Sequence, residues 1–221
     1  GIDGATILDL GCGTGRDCYL ASALVGQNGK VIGVDMTDEQ LEVARKYIDY
    51  HTSEFGFSKP NVEFRKGNIE DLSSEAGVQD DSIDCVISNC VINLSANKEK
   101  VFKEIWRVLK PGGELFFSDV YSDRRIPEDL KKDKVLWGEC LSGALYIEDF
   151  RRMMDRVGFH YYYVVSKSPI TVDNPAIEAQ LGSIKFYSIS IKAYKISQLE
   201  DRCEDYGQEA RYLGTLGSGL E

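Results

Sequence analysis

Thr6-Ile7-Leu8-Asp9-Leu10 is a short apolar run that stops at Gly11-Cys12-Gly13-Thr14-Gly15 and passes at once into a helical pattern from Arg16 to Val25. A strand that ends on glycines and opens a helix constrains the fold more than any other stretch of the chain. Glycine allows a sharp turn and close backbone approach to a ligand, and a helix start offers free N–H groups. A strand apolar on both faces belongs inside a parallel sheet with helices on both sides. The spacing is G-x-G-x-G, not the G-x-G-x-x-G of dinucleotide sites. The acid before the loop, Asp9, is expected to face the crevice, where it would repel a phosphate and favour a cationic or zwitterionic ligand.

The same alternation continues along the chain. Lys30–Asp35 reads as a second apolar strand that also ends in an acid. Thr37, with Gln40 three residues on, reads as the N-cap of a helix Asp38–Phe55 stopped by Gly56. Val62–Lys66, Ser82–Ser88 and Glu114–Val120 are expected to be strands three to five. Lys98–Leu109 is an amphipathic helix with Val101, Phe102, Ile105 and Leu109 on one face, ended by Lys110-Pro111-Gly112-Gly113. Pro127–Lys134 and Tyr146–Val157 read as helices. His160–Ser166 and Ile184–Lys195 read as a closing antiparallel pair with no strong helix between them. In the first helix the face carrying Tyr19, Leu20, Ala23 and Leu24 is expected to pack inward.

The fold class expected is therefore α/β, a Rossmann-like sheet, mostly parallel with an antiparallel edge and helices on both faces. Three regions are expected: 1–125 as a ligand-binding domain, 126–196 completing the sheet, and 197–221 as the start of a further region. The first strand begins so close to Gly1 that the chain reads as a piece of a longer one.

Composition narrows the function classes. With 26 Lys+Arg against 36 Asp+Glu the formal charge is −10, which argues against nucleic-acid partners. No apolar run approaches the ~18–20 residues that a membrane span needs, and no signal peptide is visible, so no membrane partner is expected. The 6 cysteines include no C-x-x-C pair, which argues against a zinc ribbon or thioredoxin-like motif, and a secreted disulfide scaffold would be shorter and denser in cysteine, so reduced thiols and a cytoplasmic location are expected. Cys12, Cys85 and Cys203 read as structural, Cys18 as core filler, and His51 and His160 as too isolated for metal or base chemistry. The Tyr161-Tyr162-Tyr163 run reads as strand packing.

Two polar strand ends have a direct chemical reading. Asp35 is placed to accept hydrogen bonds from two ribose hydroxyls, and Asn68 to reach an adenine edge. Singly, each is also ordinary turn or surface chemistry. Taken together with Leu109-Lys110-Pro111-Gly112-Gly113, the strings Ile7–Gly15, Val34-Asp35 and Gly67-Asn68 resemble the class I S-adenosylmethionine-dependent methyltransferases over about residues 5–120. The resemblance implies that Gly11, Gly13 and Gly15 hold the methionine end, Asp35 the ribose and Asn68 the adenine. Asp9, Arg16, Met36, Ile69 and Asn89 complete the cofactor set it implies.

Cys90, in Ser88-Asn89-Cys90-Val91-Ile92-Asn93-Leu94, follows strand four, where in such a fold the acceptor meets the donor. Cys140, in the Trp137–Tyr146 segment, lies beyond strand five. Two thiolates meeting there suit a soft, thiophilic centre. With Gly15-Arg16-Asp17-Cys18-Tyr19, Val34-Asp35-Met36-Thr37 and Gly113–Tyr121, these segments are similar to the arsenite S-adenosylmethionine methyltransferases from about residue 6 to 195. The resemblance implies trivalent arsenic as substrate, held by Cys90 and Cys140, both as metal ligands and as catalytic residues. It also implies a third thiol upstream that this sequence does not contain, a redox role for Cys18, and a thiol reductant, thioredoxin or glutathione. The alternatives weighed beside it are a methyltransferase for another small molecule such as a quinone, a nicotinamide-dependent oxidoreductase, and a thiol-based metalloid sensor.

Overall fold

The strand β1 (Thr6–Leu10) is buried along nearly its whole length and sits inside an eight-stranded sheet. The computed structural model describes residues 2–131, 141–171, 175–199, 207, 209 and 211. The strand order is β3-β2-β1-β4-β5-β8-β7, with β2 (Lys30–Asp35), β3 (Val62–Lys66), β4 (Ile83–Asn89), β5 (Leu109–Ser122), β7 (Tyr162–Ile170) and β8 (Phe186–Tyr194). A two-residue β6 (Leu145–Tyr146) pairs with the end of β5. The strands β1 to β5 pair in parallel, and β8 runs antiparallel to both β5 and β7. Chain order reverses beside β1, between β2 and β4. That is the point where an open α/β sheet leaves a crevice outside the carboxyl ends of its strands.

Helices cover both faces. On one, α1 (Arg16–Val25) and α2 (Asp38–Lys46) pack Cys18, Tyr19, Val25, Leu41 and Ala44 against Ile7, Val31, Val62 and Phe64. On the other, α4 (Lys98–Val108) and α6 (Ile147–Val157) pack Phe102, Ile105, Phe150 and Met154 against Leu8, Leu10, Val86, Leu115 and Phe117. Phe150 touches the rings of Phe102, Tyr121 and Tyr162 at centroid distances of 5.0–5.7 Å, edge-on. Each such fully buried side chain contributes roughly 1.5–3 kcal/mol of transfer free energy. The helix α4 starts at Asn97, whose side chain accepts the Lys100 N–H at 3.0 Å. A cap of this kind is worth about 1 kcal/mol.

Several local expectations change. The long second helix breaks at Tyr47 into α2 and α3 (Ile48–Glu54). At the break the Ala44 carbonyl takes the Tyr19 hydroxyl at 2.5 Å and the Tyr47 N–H at 3.3 Å, where an unbroken helix would give it to the Ile48 N–H. Thr37 makes no side-chain cap; its N–H goes instead to Asp35 Oδ1 at 2.9 Å. Lys110–Gly113 is not a turn before β5 but a bulge within it, because Ile83 pairs with Leu109 and Cys85 with Glu114. Gly112 and Gly113 bond to Lys195 of the chain's return.

Two further changes concern helices. A short helix α7 (Pro175–Leu181) does lie between the last two strands. Between β5 and α6, only α5 (Glu128–Lys131) of the expected Pro127–Lys134 helix falls within the described residues. On α1 the inward face is Cys18, Tyr19, Ala21, Ser22 and Val25, while Leu20 and Leu24 stand 57% and 65% exposed.

Candidate functional site

At the carboxyl ends of β1 to β4 lies a cavity of about 340 Å³. Gly11, Asp35, Met36, Asn68 and Ile69 line it, five of the residues expected to meet one ligand. Gly11 has φ +70, and a Cβ there would overlap the side chain of Val91. Only glycine lets Val91, itself a wall of the cavity, close over the loop. At Gly13 (φ +52) the place of a Cβ is open, with nothing nearer than Gln40 Oε1 at 3.8 Å.

The carboxylate of Asp35 is fixed from both sides. Gly13 N–H donates to Oδ2 and Thr37 N–H to Oδ1, each at 2.9 Å. A carboxylate has about four acceptor positions. The remaining ones are available to a pair of neighbouring hydroxyls. Asn68 Oδ1 accepts the Glu70 N–H at 2.8 Å, which leaves its amide NH₂ as the free donor. A vicinal diol beside an anion, next to a base edge read by an amide donor, is the chemistry of a nucleoside. The lining and the volume fit an S-adenosyl group.

Other expected residues go elsewhere. Gly13 serves the cavity through Asp35 and does not line it. Gly15 (φ +85) is a packing position, because a Cβ there would sit 2.6 Å from the Phe64 ring. Arg16 has an 87% exposed side chain, 3.9 Å from Asp17, and borders a separate aromatic groove with Tyr19, Tyr47 and His51. Asn89 lines a different groove beside α1, with Asp17, Ser88 and Ser118.

Asp9 is turned inward, against expectation. It is 4% exposed and receives the Cys18 thiol at 3.2 Å. Burial pushes its pKa up to about 7, which the Cys18 hydrogen bond opposes and the charges of Asp17 and Asp35 reinforce. It touches the floor of the groove beside α1 and not the nucleoside cavity.

Of the thiols, Cys12 and Cys18 are buried and free, with Cys18 wholly enclosed. Cys85 is half-buried, and burial pushes its thiol pKa up to about 12. Cys90 differs from all of these. It is exposed, sits one residue past β4, and holds a left-handed backbone at φ 56. That conformation costs a non-glycine residue roughly 1–2 kcal/mol and is kept where the surroundings enforce it. Here Cys90 N–H donates to the Ser118 carbonyl at 2.9 Å, and the next residue, Val91, is locked over Gly11. The one exposed thiol among the described cysteines thus directly precedes Val91, a wall of the cavity. Cys140, Trp137 and Cys203 lie outside the described residues. Among the described residues no group of three His, Cys, Asp or Glu side chains could hold a metal ion, and no helix is long and apolar enough to cross a membrane.

The cavity has further walls to which no sequence motif assigns a role there: Thr37, Gly67, Glu70, Val91, Leu94, Ser95 and Ala96. The latter four arrive through the 3₁₀ turn Ile92–Leu94. Their only linear signal is closeness to Cys90.

Known proteins give an independent view. A family model described as a methyltransferase domain matches residues 2–158. The arsenite methyltransferase of Aquipseudomonas alcaligenes is 51% identical over 97% of this chain and 61% of its own length. The Homo sapiens arsenite methyltransferase is 48% identical over 89% of this chain and 52% of its own. A solved structure of CrArsM, an arsenic(III) S-adenosylmethionine methyltransferase from Chlamydomonas reinhardtii, superposes with a TM-score of 0.89 at 48% identity, covering 94% of this chain and 69% of that one. The chain therefore spans between half and two thirds of the length of these curated relatives.

Proposed function

The chain belongs to the arsenite methyltransferases, and from that membership we propose that it moves methyl groups from S-adenosylmethionine to thiolate-held trivalent arsenic. The single observation that carries the reading is the exposed Cys90, in a left-handed backbone one residue before Val91, a wall of the cavity that Asp35 and Asn68 line. When bound, the cofactor supplies a methyl group already activated as a sulfonium. Asp35 accepts from the ribose hydroxyls, Asn68 donates to the adenine, and Met36 and Ile69 cover the ring. Gly13, outside the lining, holds Asp35 in place through its N–H. Arg16 and Asn89, outside this cavity, are assigned to the methionine end on the resemblance alone.

Trivalent arsenic keeps a lone pair when bound by thiolates, and that pair is the nucleophile. The chain's task is to hold the atom, aim its lone pair and exclude water. We assign the holding to Cys90 and Cys140. The reading includes cytoplasmic surroundings, because it needs both thiols reduced, and a thiol reductant such as thioredoxin or glutathione. Residues 1–125 form its cofactor unit and 126–196 its arsenic-binding region.

The test is direct. Protein, S-adenosylmethionine, arsenite and reductant are incubated and methylated arsenicals are separated by chromatography. Arsenite is also titrated as a protectant of Cys90 against alkylation. Cys90→Ser and Cys140→Ser are each expected to abolish turnover, and Cys140→Ser to abolish the protection of Cys90, with Cys85→Ser as the control thiol. Turnover retained in both variants, or protection of Cys90 unaltered in Cys140→Ser, refutes the thiolate reading.

A further inference from the structure

The segment from Cys90 to the start of α4 is pinned at two places by different parts of the fold. On the cofactor side, Glu70 Oε1 accepts from Ser95 Oγ at 2.6 Å and from Asn97 N–H at 3.1 Å. Leu94, Ser95 and Ala96 stand there in the cavity wall. On the other side, Asn93 is 2% exposed; its N–H donates to Asp119 Oδ2 at 3.0 Å and its amide to the Val120 carbonyl at 2.6 Å. Asp119, equally buried, takes the Val120 N–H on its second oxygen at 2.9 Å. Cys90 hangs from the same strand by its bond to Ser118. Three consecutive residues of β5 therefore hold the Cys90–Asn93 stretch.

The opposite side of Asn93 meets the turn that follows Cys140 in sequence. Gly143 lies so close that a Cβ on it would be 2.5 Å from the Asn93 carbonyl oxygen. Leu141, Ser142 and Ala144 are buried there, and Ala144 N–H closes the turn on the Leu141 carbonyl at 3.1 Å. Burying a carboxyl and an amide is costly unless they are paired. Apolar side chains would pack such a seam at no polar penalty but could slide along it. Directed hydrogen bonds fix one arrangement. A two-thiolate chelate needs its two arms held at one span.

We propose that Asn93, held by Asp119 and backed by Gly143, is a positioning residue that sets the span between Cys90 and the turn following Cys140. This rests on the arsenite reading. It separates the seam into two jobs: Glu70 holds the cofactor wall, and Asn93 with Asp119 holds the thiol.

The experiment measures two affinities on the full chain: arsenite, by protection of Cys90 from alkylation with peptide mapping, and S-adenosylhomocysteine, by calorimetry. In Asn93→Ala, Asp119→Ala and Gly143→Ala, arsenite is expected to bind about tenfold more weakly or worse, while S-adenosylhomocysteine stays within about threefold. Asp119→Asn can keep its oxygen for the Asn93 N–H while its NH₂ faces the Val120 N–H, and is expected to bind arsenite more tightly than Asp119→Ala but more weakly than the parent. If the alanine variants of the buried pair do not fold, Gly143→Ala widens the same contact without unpairing a polar group and decides alone. Undiminished arsenite binding in the variants overturns the inference, as does a parallel loss of both ligands. Lack of protection in the unaltered chain instead overturns the arsenite reading, and this inference with it.

Discussion

Asp9 gives the sharpest quantitative expectation. It is buried behind the glycine loop with the Cys18 thiol as its partner and with Asp17 and Asp35 as like charges nearby. Its pKa rises from 3.8 to about 7 on folding, chiefly through burial. Below pH 4 the carboxyl is protonated in both folded and unfolded chain, so no penalty arises. As pH climbs from 4 to 7 the unfolded chain releases the proton and the folded chain keeps it, so stability falls. Above pH 7 the loss is complete, at about 4 kcal/mol, from 1.36 kcal/mol per pKa unit. Asp9→Asn keeps an acceptor for Cys18 and removes the ionisation. Urea unfolding under reducing conditions is measured for both chains at pH 5 and pH 8. The stability of Asp9→Asn relative to the parent is expected to rise by roughly 3 kcal/mol between those values. Any fixed cost of the substitution cancels in that difference. Asp119, raised to about 6 by burial, acts in the same direction in both chains and cancels too. A difference that does not change with pH refutes the placement of Asp9 as a buried, water-excluded acid.

Other expectations follow from single contacts. Gly11→Ala combines a left-handed backbone with overlap onto Val91 and is expected to cost roughly 2–5 kcal/mol and to abolish S-adenosylhomocysteine binding, checked by thermal melts and calorimetry. Asp35→Asn sets an NH₂ against either the Gly13 or the Thr37 N–H and removes the charge. S-adenosylhomocysteine should bind at least about tenfold more weakly, with melting little changed. Phe150→Ala opens the aromatic cluster between α6 and the sheet; denaturant titration should show a loss of roughly 3–5 kcal/mol, with cofactor affinity of the folded fraction unaltered.

The linear sequence was enough for the parallel sheet and for five residues that line the cavity at its strand ends. Parallel strands buried on both faces must be apolar throughout, so Ile7–Leu10 was legible without coordinates, whereas Gly11 and Gly15 are required by Val91 and Phe64, which only packing brings against them. Asp35 and Asn68 were legible because strand ends face the crevice. Properties that depend on which distant group fills a space were not. Asp9 carries no linear mark of the Cys18 thiol that encloses it, and Tyr47 none of the Tyr19 hydroxyl at the break in its helix. The outward turn of Leu20 and Leu24 likewise follows from how α1 meets β1 and β2, not from their spacing. Cys90 could be singled out from its neighbours, but its left-handed backbone, its hold on Ser118 and the Asn93–Asp119 pair beside it exist only in three dimensions. Periodicity and residue type record what each residue asks of its surroundings, whereas burial, pKa and strain depend on what long-range packing brings against it.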